Sequence, residues 1–282
     1  MQVTLWGTRG SLATPGPDTA RYGGNTSCVA VRGREGTVVV LDAGTGIRSM
    51  AETIDASVRR VDVLLTHLHM DHIQGLGFFA PLYRPDIDVH IWGPMSTQLT
   101  LRARLMRYLS PPLFPVGIRE LPCRLHLHEV GDTEAEIGEF HVASSRVCHP
   151  GPTVGYRITD SAGKVVTYLP DHEPALGALT FPALPREWTS GGQLAADSDL
   201  LIHDSQYSVH EYPGHVGWGH SSLRHMLDFG SLVEARHLVP FHHDPGHTDL
   251  DLDRLMQEAI DDAHPPYRVT PGREGMTFDL TR

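Results

Sequence analysis

The segment Thr66-His67-Leu68-His69-Met70-Asp71-His72 places four side chains able to bind a metal within six positions, directly after the apolar run Val61–Leu65. In an extended chain, side chains two apart point the same way. The alternation therefore predicts that His67, His69 and Asp71 converge, while the turn into a helix from about Ile73 redirects His72. Such a set can serve two metal ions, and imidazole with carboxylate suits zinc, manganese or iron. Four side chains do not complete two sites, so further histidines or aspartates must stand at the ends of later strands. They do: His149 lies in Val147-Cys148-His149-Pro150-Gly151, Asp171 in Tyr168-Leu169-Pro170-Asp171-His172, and His242 directly after His237–Phe241.

The elements that must position these residues are short. Val3–Trp6, Ser27–Arg32 and Thr37–Leu41 read as an N-terminal antiparallel sheet separated by glycine-rich loops. A helix is expected near Ile47–Ile54, a strand at Val61–Leu65, another at Val89–Trp92, and a helix near Ser96–Leu109 before the proline-broken loop Pro111–Pro115. The second half repeats this character, with strands near Leu125–Val130, Glu139–Ser144, Gly155–Thr159, Val165–Leu169, Leu200–Ile202, His237–Phe241 and Met276–Leu280. Helices are expected near Ser221–Asp228 and Asp249–Ile260, and Pro182–Asp199 as an exposed connection. The fold class is α+β, an αββα sandwich of two packed mixed sheets with helices on the outer faces, in one domain over residues 1–282.

The order His-x-His-x-Asp-His, lone His, lone Asp, late His resembles the metallo-β-lactamase fold superfamily over most of the chain. Within it the sequence looks most like the ribonuclease Z and cyclic-phosphodiesterase branch. That closer likeness is carried by Gly7-Thr8-Arg9-Gly10-Ser11, Arg21–Ser27, Leu41-Asp42-Ala43-Gly44-Thr45-Gly46, Asp71-His72-Ile73-Gln74-Gly75, Gly217-Trp218-Gly219-His220-Ser221 and His242-His243-Asp244-Pro245. The resemblance implies that His67, His69 and His149 hold one divalent ion, that Asp71, His72 and His242 hold a second, and that Asp171 bridges them. It implies zinc before manganese or iron, a bridging hydroxide as nucleophile oriented by Asp71, and His220 assisting the leaving oxygen. It also implies a homodimer. A β-lactamase is disfavoured, because Cys148 precedes a metal-site position without occupying one.

Composition sets the outer limits. The 282 residues are 40% hydrophobic and 20% charged, the profile of a soluble globular chain. With 34 acidic against 23 basic residues the net charge is −11, so a long nucleic acid or an anionic membrane is not an expected partner. No apolar stretch is long enough to span a membrane and no secretory leader is read, which points to the cytoplasm. Cys28, Cys123 and Cys148 form no C-x-x-C pair and are expected to be reduced. His126, His128 and His141 read as sheet-surface residues, and Arg102, Arg104 and Arg107 as a solvated helix face. His172, His203, His215 and His243 are candidates for supporting or substrate roles, and Asp204 for orienting a histidine or capping a turn.

The function expected is a dinuclear metal-dependent phosphodiesterase for a small phosphodiester, a cyclic nucleotide or related cyclic phosphate. The alternatives are a ribonuclease Z-like tRNA 3′-processing endonuclease, a lactonase or thioesterase on the same metal site, and a metal-binding module without activity.

Overall fold

The computed structural model describes residues 1–176 and 178–281. Strands β1 (Gln2–Gly7), β2 (Cys28–Arg32), β3 (Val38–Leu41), β4 (Arg60–Leu64), β5 (Asp88–Pro94) and β6 (Arg124–Val130) build a first sheet. Strands β7 (Thr133–Ile137), β8 (Phe140–Arg146), β9 (Val154–Asp160), β10 (Val165–Leu169), β11 (Leu200–Asp204), β12 (His237–Phe241) and β13 (Arg268–Val269) build a second, and β14 (Thr277–Asp279) returns to the first. Their orders are β14-β1-β2-β3-β4-β5-β6 and β13-β12-β11-β10-β9-β8-β7.

Each sheet is antiparallel in one half and parallel in the other: β3 to β6 run parallel in the first, and β10 to β13 in the second. The expected N-terminal antiparallel sheet is thus only part of a mixed one. Strands β3 (Val-Val-Val-Leu) and β10 (Val-Val-Thr-Tyr-Leu) are covered on both faces, which is why they are wholly buried, nearly continuous apolar runs rather than alternating ones.

Three cores separate the layers. Val3, Val29, Leu41, Tyr156, Val166, Ile202 and Phe241 pack between the sheets. Ile47, Met50, Val61, Leu76 and Leu105 lie outside the first sheet, under the helices α1 (Ile47–Ala51), α2 (Met70–Ile73) and α3 (Leu101–Leu105). Leu194, Leu201, Met226, Phe229 and Met256 lie outside the second, under α4 (Gly192–Ala195), α5 (Leu223–Leu232) and α6 (Asp249–Ala263). The αββα sandwich follows.

Several local expectations are corrected. The helix after the His-rich segment begins at Met70, not Ile73, and so contains Asp71 and His72. Helix α3 starts only after the Thr100 cap and stops at Leu105, well short of Pro111. Strand β7, Thr-Glu-Ala-Glu-Ile, escaped notice because an edge strand open to solvent needs little apolar sequence. The stretch 182–199 is no exposed connection throughout, since Leu194, Ala195 and Ser198 are buried. His126 and His128 stand on β6 and His141 on β8, as surface histidines.

Several histidines are sealed in neutral form. Burial pushes His203 on β11 and His237 at the start of β12 each down to about 4 from an ordinary 6.5. The unfolded imidazole takes up its proton near 6.5 and the folded one only near 4, so this stability is present above pH 6.5 and is lost as the pH falls through that window. The denaturant midpoint is expected to fall between pH 7 and pH 5, with His203→Gln flattening the slope; a midpoint independent of pH across that range contradicts the assignment.

Candidate metal centre

The C-terminal ends of β4, β8, β10 and β12 open on one edge of the sandwich, and all seven residues singled out in the sequence meet there. They fall into two groups whose donor atoms approach one another within 4.8 Å: His67, His69 and His149, and Asp71, His72, Asp171 and His242. Asp171 stands between them. Its Oδ2 is 3.7 Å from both His67 Nε2 and His149 Nε2, while its Oδ1 is 2.9 Å from His72 Nε2 and 3.4 Å from His242 Nε2. Asp71 Oδ2 completes the second group at 3.3 Å from His72 Nε2 and 3.2 Å from His242 Nε2. Contrary to the alternation of two, the extended stretch carries only His67 and His69 together, and α2 swings Asp71 into the other group with His72.

What these atoms can bind is fixed by their outer hydrogen bonds. Asp42, at the end of β3 and fully buried, accepts from Thr66 N at 2.7 Å, from Thr66 Oγ1 at 2.9 Å, from Tyr168 Oη at 3.0 Å and from His72 Nδ1 at 2.8 Å. Because the Thr66 hydroxyl donates to Asp42, its oxygen accepts from His67 Nδ1 at 3.1 Å. His149 Nδ1 donates to the Gly219 carbonyl and His242 Nδ1 to Gln206 Oε1, both at 2.9 Å. Nδ1 of His67, His72, His149 and His242 thus carries the hydrogen and their Nε2 lone pairs point inward beside two carboxylates, while His69 turns its Nδ1 toward His149 Nε2 at 3.2 Å.

No protein donor satisfies His67 Nε2, which is buried and orphaned. A cluster of acceptors without donors is a site for cations, and the nitrogen–oxygen donor set fits two divalent ions. In the bare protein protons stand in for them. Burial disfavours charge on His72, yet Asp171, Asp71 and Asp42 outweigh it and raise its proton affinity well above the usual value. Burial likewise opposes ionisation of Asp171, but His242, His72 and His67 hold it well below the carboxylate range.

The backbone is bent to this purpose. His242 sits at φ 59°, a left-handed conformation that costs a non-glycine residue about 1–3 kcal/mol and persists where its surroundings over-determine it. The structure requires a glycine at position 10 of the first loop, because a Cβ there would collide with the His242 ring at Nδ1. The neighbouring Arg9 is buried and donates to the carbonyls of Gly23, Asp244 and His247, so these glycine-rich loops brace the chain rather than cradle an anion.

His220 overlooks both groups, its ring stacked 5.0 Å from His242 and edge-on 5.1 Å from His149. Its Nδ1 donates to Asp204 Oδ2 at 2.7 Å. Burial would lower its pKa, but Asp204 overrides that and lifts it to about 9, leaving a protonated Nε2. Asp204 also accepts from the amides of Gln206, Ser221 and His172, so it both holds the His220 ring and caps the turn at Gln206.

The sequence reading missed Asp42, Gln206 and Glu173. Glu173, fully buried, accepts from Tyr212 Oη at 2.8 Å, Gly217 N at 3.0 Å and Gly219 N at 2.8 Å, fastening the loop that carries His220 and the His149 acceptor. An aspartate at the end of an apolar strand was the available signal for Asp42; nothing local marks Glu173. Of the other candidates, His172 and His203 pair with each other at 2.9 Å, His243 donates to the Gly272 carbonyl, and His215 stacks on Tyr207, all outside the two groups.

Fold and centre together define a metal-dependent hydrolase. The chain belongs to the β-lactamase superfamily: the model of the beta-lactamase superfamily domain matches residues 37–243, a span that holds all seven residues. Among curated relatives, the ribonuclease Z of Thermococcus onnurineus is 23% identical over 100% of this chain and 96% of its own length. That of Gemmatimonas aurantiaca is 27% identical over 74% of this chain and 77% of its own. Among solved structures, the human short-form tRNase Z superposes with a TM-score of 0.68 at 19% identity, covering 100% of both chains. Unliganded yeast PDE1 gives 0.70 at 15% identity, covering 99% of both, and a diphosphatase from the PhnP family gives 0.68 at 17%, covering 98% of this chain and 96% of that one. These relatives lie in the branch that the sequence resembles.

Replacing Asp42 by Asn keeps the shape but reverses one of its hydrogen-bond faces toward His72 and Thr66. Metal affinity, read by competition with a chromogenic chelator, is expected to fall roughly 10–100-fold. Glu173→Ala leaves two amides without a charged acceptor, and hydrogen exchange at Gly217 and Gly219 should quicken at least about tenfold; unchanged exchange would mean that other contacts hold the loop.

Proposed function

We propose that the protein is a phosphodiester hydrolase acting on a small phosphodiester, a cyclic nucleotide or related cyclic phosphate. His67, His69 and His149 would hold one divalent ion and Asp71, His72 and His242 the other, with Asp171 shared between them. Zinc suits this donor set first, and manganese or iron also fit it. Bound there, the pair supplies an activated water and charge neutralisation for a phosphate.

The observation that carries the reading is the placement of His220. Its proton-bearing Nε2 overlooks the space between the two groups while Asp204 holds Nδ1, the arrangement of a general acid for a departing alkoxide. Asp71 Oδ2, fixed by the Ser11 amide at 2.8 Å, is placed to orient the attacking water. Neither task has an evident counterpart in a merely metal-storing protein.

The names of the curated relatives favour a second reading, a ribonuclease Z-like endonuclease. Against a polymer stand the −11 charge and the connection from His149 to Asp171, which is used up by the β9–β10 hairpin and leaves no inserted arm to grip RNA. Salt-sensitive binding of precursor tRNA would favour the polymer.

The deciding assay is metal-replete hydrolysis of bis(p-nitrophenyl) phosphate beside a thioester and a lactone. Diester cleavage is expected, abolished in His67→Ala. On a 2′,3′-cyclic nucleotide, whose leaving group is an alkoxide, His220→Ala should lower kcat roughly 10²–10⁴-fold with both metals retained, and far less on the p-nitrophenyl diester, whose leaving group needs little protonation. Acyl cleavage without diester cleavage would overturn the phosphate reading.

A further inference from the structure

The motif Gly7-Thr8-Arg9-Gly10-Ser11 is only partly absorbed by the centre. Thr8, Arg9 and Gly10 are buried and brace the loop: Thr8 Oγ1 donates to the Tyr22 carbonyl, Arg9 to three further carbonyls, and the Gly10 amide to the His243 carbonyl. Ser11 differs from them, because it is exposed.

The backbone at Ser11 is strained. Its φ is 55°, and the Leu12 amide donates to the Gly10 carbonyl across it, so the residue is the centre of a three-residue turn with positive φ. Glycine adopts that conformation freely, whereas a side chain there is pressed against its own backbone. The Ser11 amide accounts for the turn, since it donates to Asp71 Oδ2 at 2.8 Å. A glycine would present the same amide without the strain, and strain of this kind persists where function requires it. The hydroxyl is therefore the part that needs a reason.

Nothing inside the protein uses that hydroxyl fully. Ser11 Oγ accepts from Gln206 Nε2 at 3.4 Å, a long contact that this nitrogen shares with Tyr207 Oη and Asp244 Oδ2, and the hydroxyl hydrogen has no acceptor among the described residues. Gln206 Oε1 meanwhile accepts from His242, which lies in one group with Asp71. An unclaimed donor thus stands at the solvent edge of the group formed by Asp71, His72, Asp171 and His242, tied to that group through its own amide and through Gln206.

We propose that Ser11 is a substrate-binding residue whose hydroxyl donates to an oxygen of the phosphodiester lying over that group. A hydroxyl rotates to suit its acceptor, and a charged oxygen is the acceptor that strengthens the bond most. This rests on the phosphodiesterase reading above.

The test compares metal-loaded wild type, Ser11→Ala and Ser11→Gly, all of which keep the amide that holds Asp71. Loss of one hydrogen bond to a charged group predicts a fall of roughly 10–100-fold in kcat/KM for bis(p-nitrophenyl) phosphate, carried by KM, and a similar weakening of inorganic phosphate as a competitive inhibitor. The losses should be equal in the two variants with metal content unchanged, although Ser11→Gly should have the higher thermal midpoint because it alone relieves the turn. Full activity in Ser11→Gly would assign the serine to the turn alone, and unequal losses or a matching loss of bound metal would assign it to the support of Asp71. Each of these results overturns the substrate contact while leaving the phosphodiesterase reading in place. Failure of the wild type to hydrolyse the diester overturns both.

Discussion

The buried carboxylate of Asp42 is the contact on which the centre depends. It stands at the end of β3 and reaches β4 through Thr66, α2 through His72 and the opposite sheet through Tyr168. One side chain therefore sets the tautomers of His67 and His72 and ties the two sheets together above their shared core. Seven acceptor-rich side chains repel one another when packed in a space closed to water, and only fixed outer hydrogen bonds keep such a set convergent. Gln206 and the Gly219 carbonyl repeat the device for His242 and His149.

The centre belongs to neither sheet alone. The first sheet delivers His67, His69, Asp71 and His72 from the end of β4; the second delivers His149, Asp171 and His242 from β8, β10 and β12. Asp171 faces both groups only because the inter-sheet core, with Leu41 and Leu64 on one side and Tyr156, Tyr168 and Phe241 on the other, sets the separation of the two edges. A change in that core thus acts on the centre at a distance, through geometry. The loop from Tyr212 to His220 is added by a separate clamp, Glu173, two residues beyond Asp171. The same short segment after β10 consequently places the carboxylate that stands between the two groups and the support of the loop that carries His220.

Much of this was legible in the chain. The burst of histidines after Val61–Leu65, and the single His, Asp and His after later strands, named the seven side chains, because a residue at the end of a buried strand has few places to point. The sandwich was legible for a related reason: strands buried on both faces leave continuous apolar runs, as in β3 and β10. Harder to see were elements whose stability is not local. β7 and β13 are edge strands defined by their partners, and α2 is a four-residue turn whose start at Met70 decides which group Asp71 joins. The sequence alternation assigned Asp71 to the wrong group for that reason.

The sequence alone determined the donor types, their places at strand ends and the likeness to a superfamily, since these follow from residue identity and a periodicity of two. Tertiary structure decided the rest. It gave Asp171 one oxygen for each group, turned one oxygen of Asp204 toward His220 while the other caps the turn at Gln206, buried Glu173 beneath a glycine loop, and brought Arg104 and Arg107 to the lining of a cleft beside His67 and His69. Each of these joins residues from distant parts of the chain through hydrogen bonds or packing, and such contacts leave no periodic trace in the sequence that makes them.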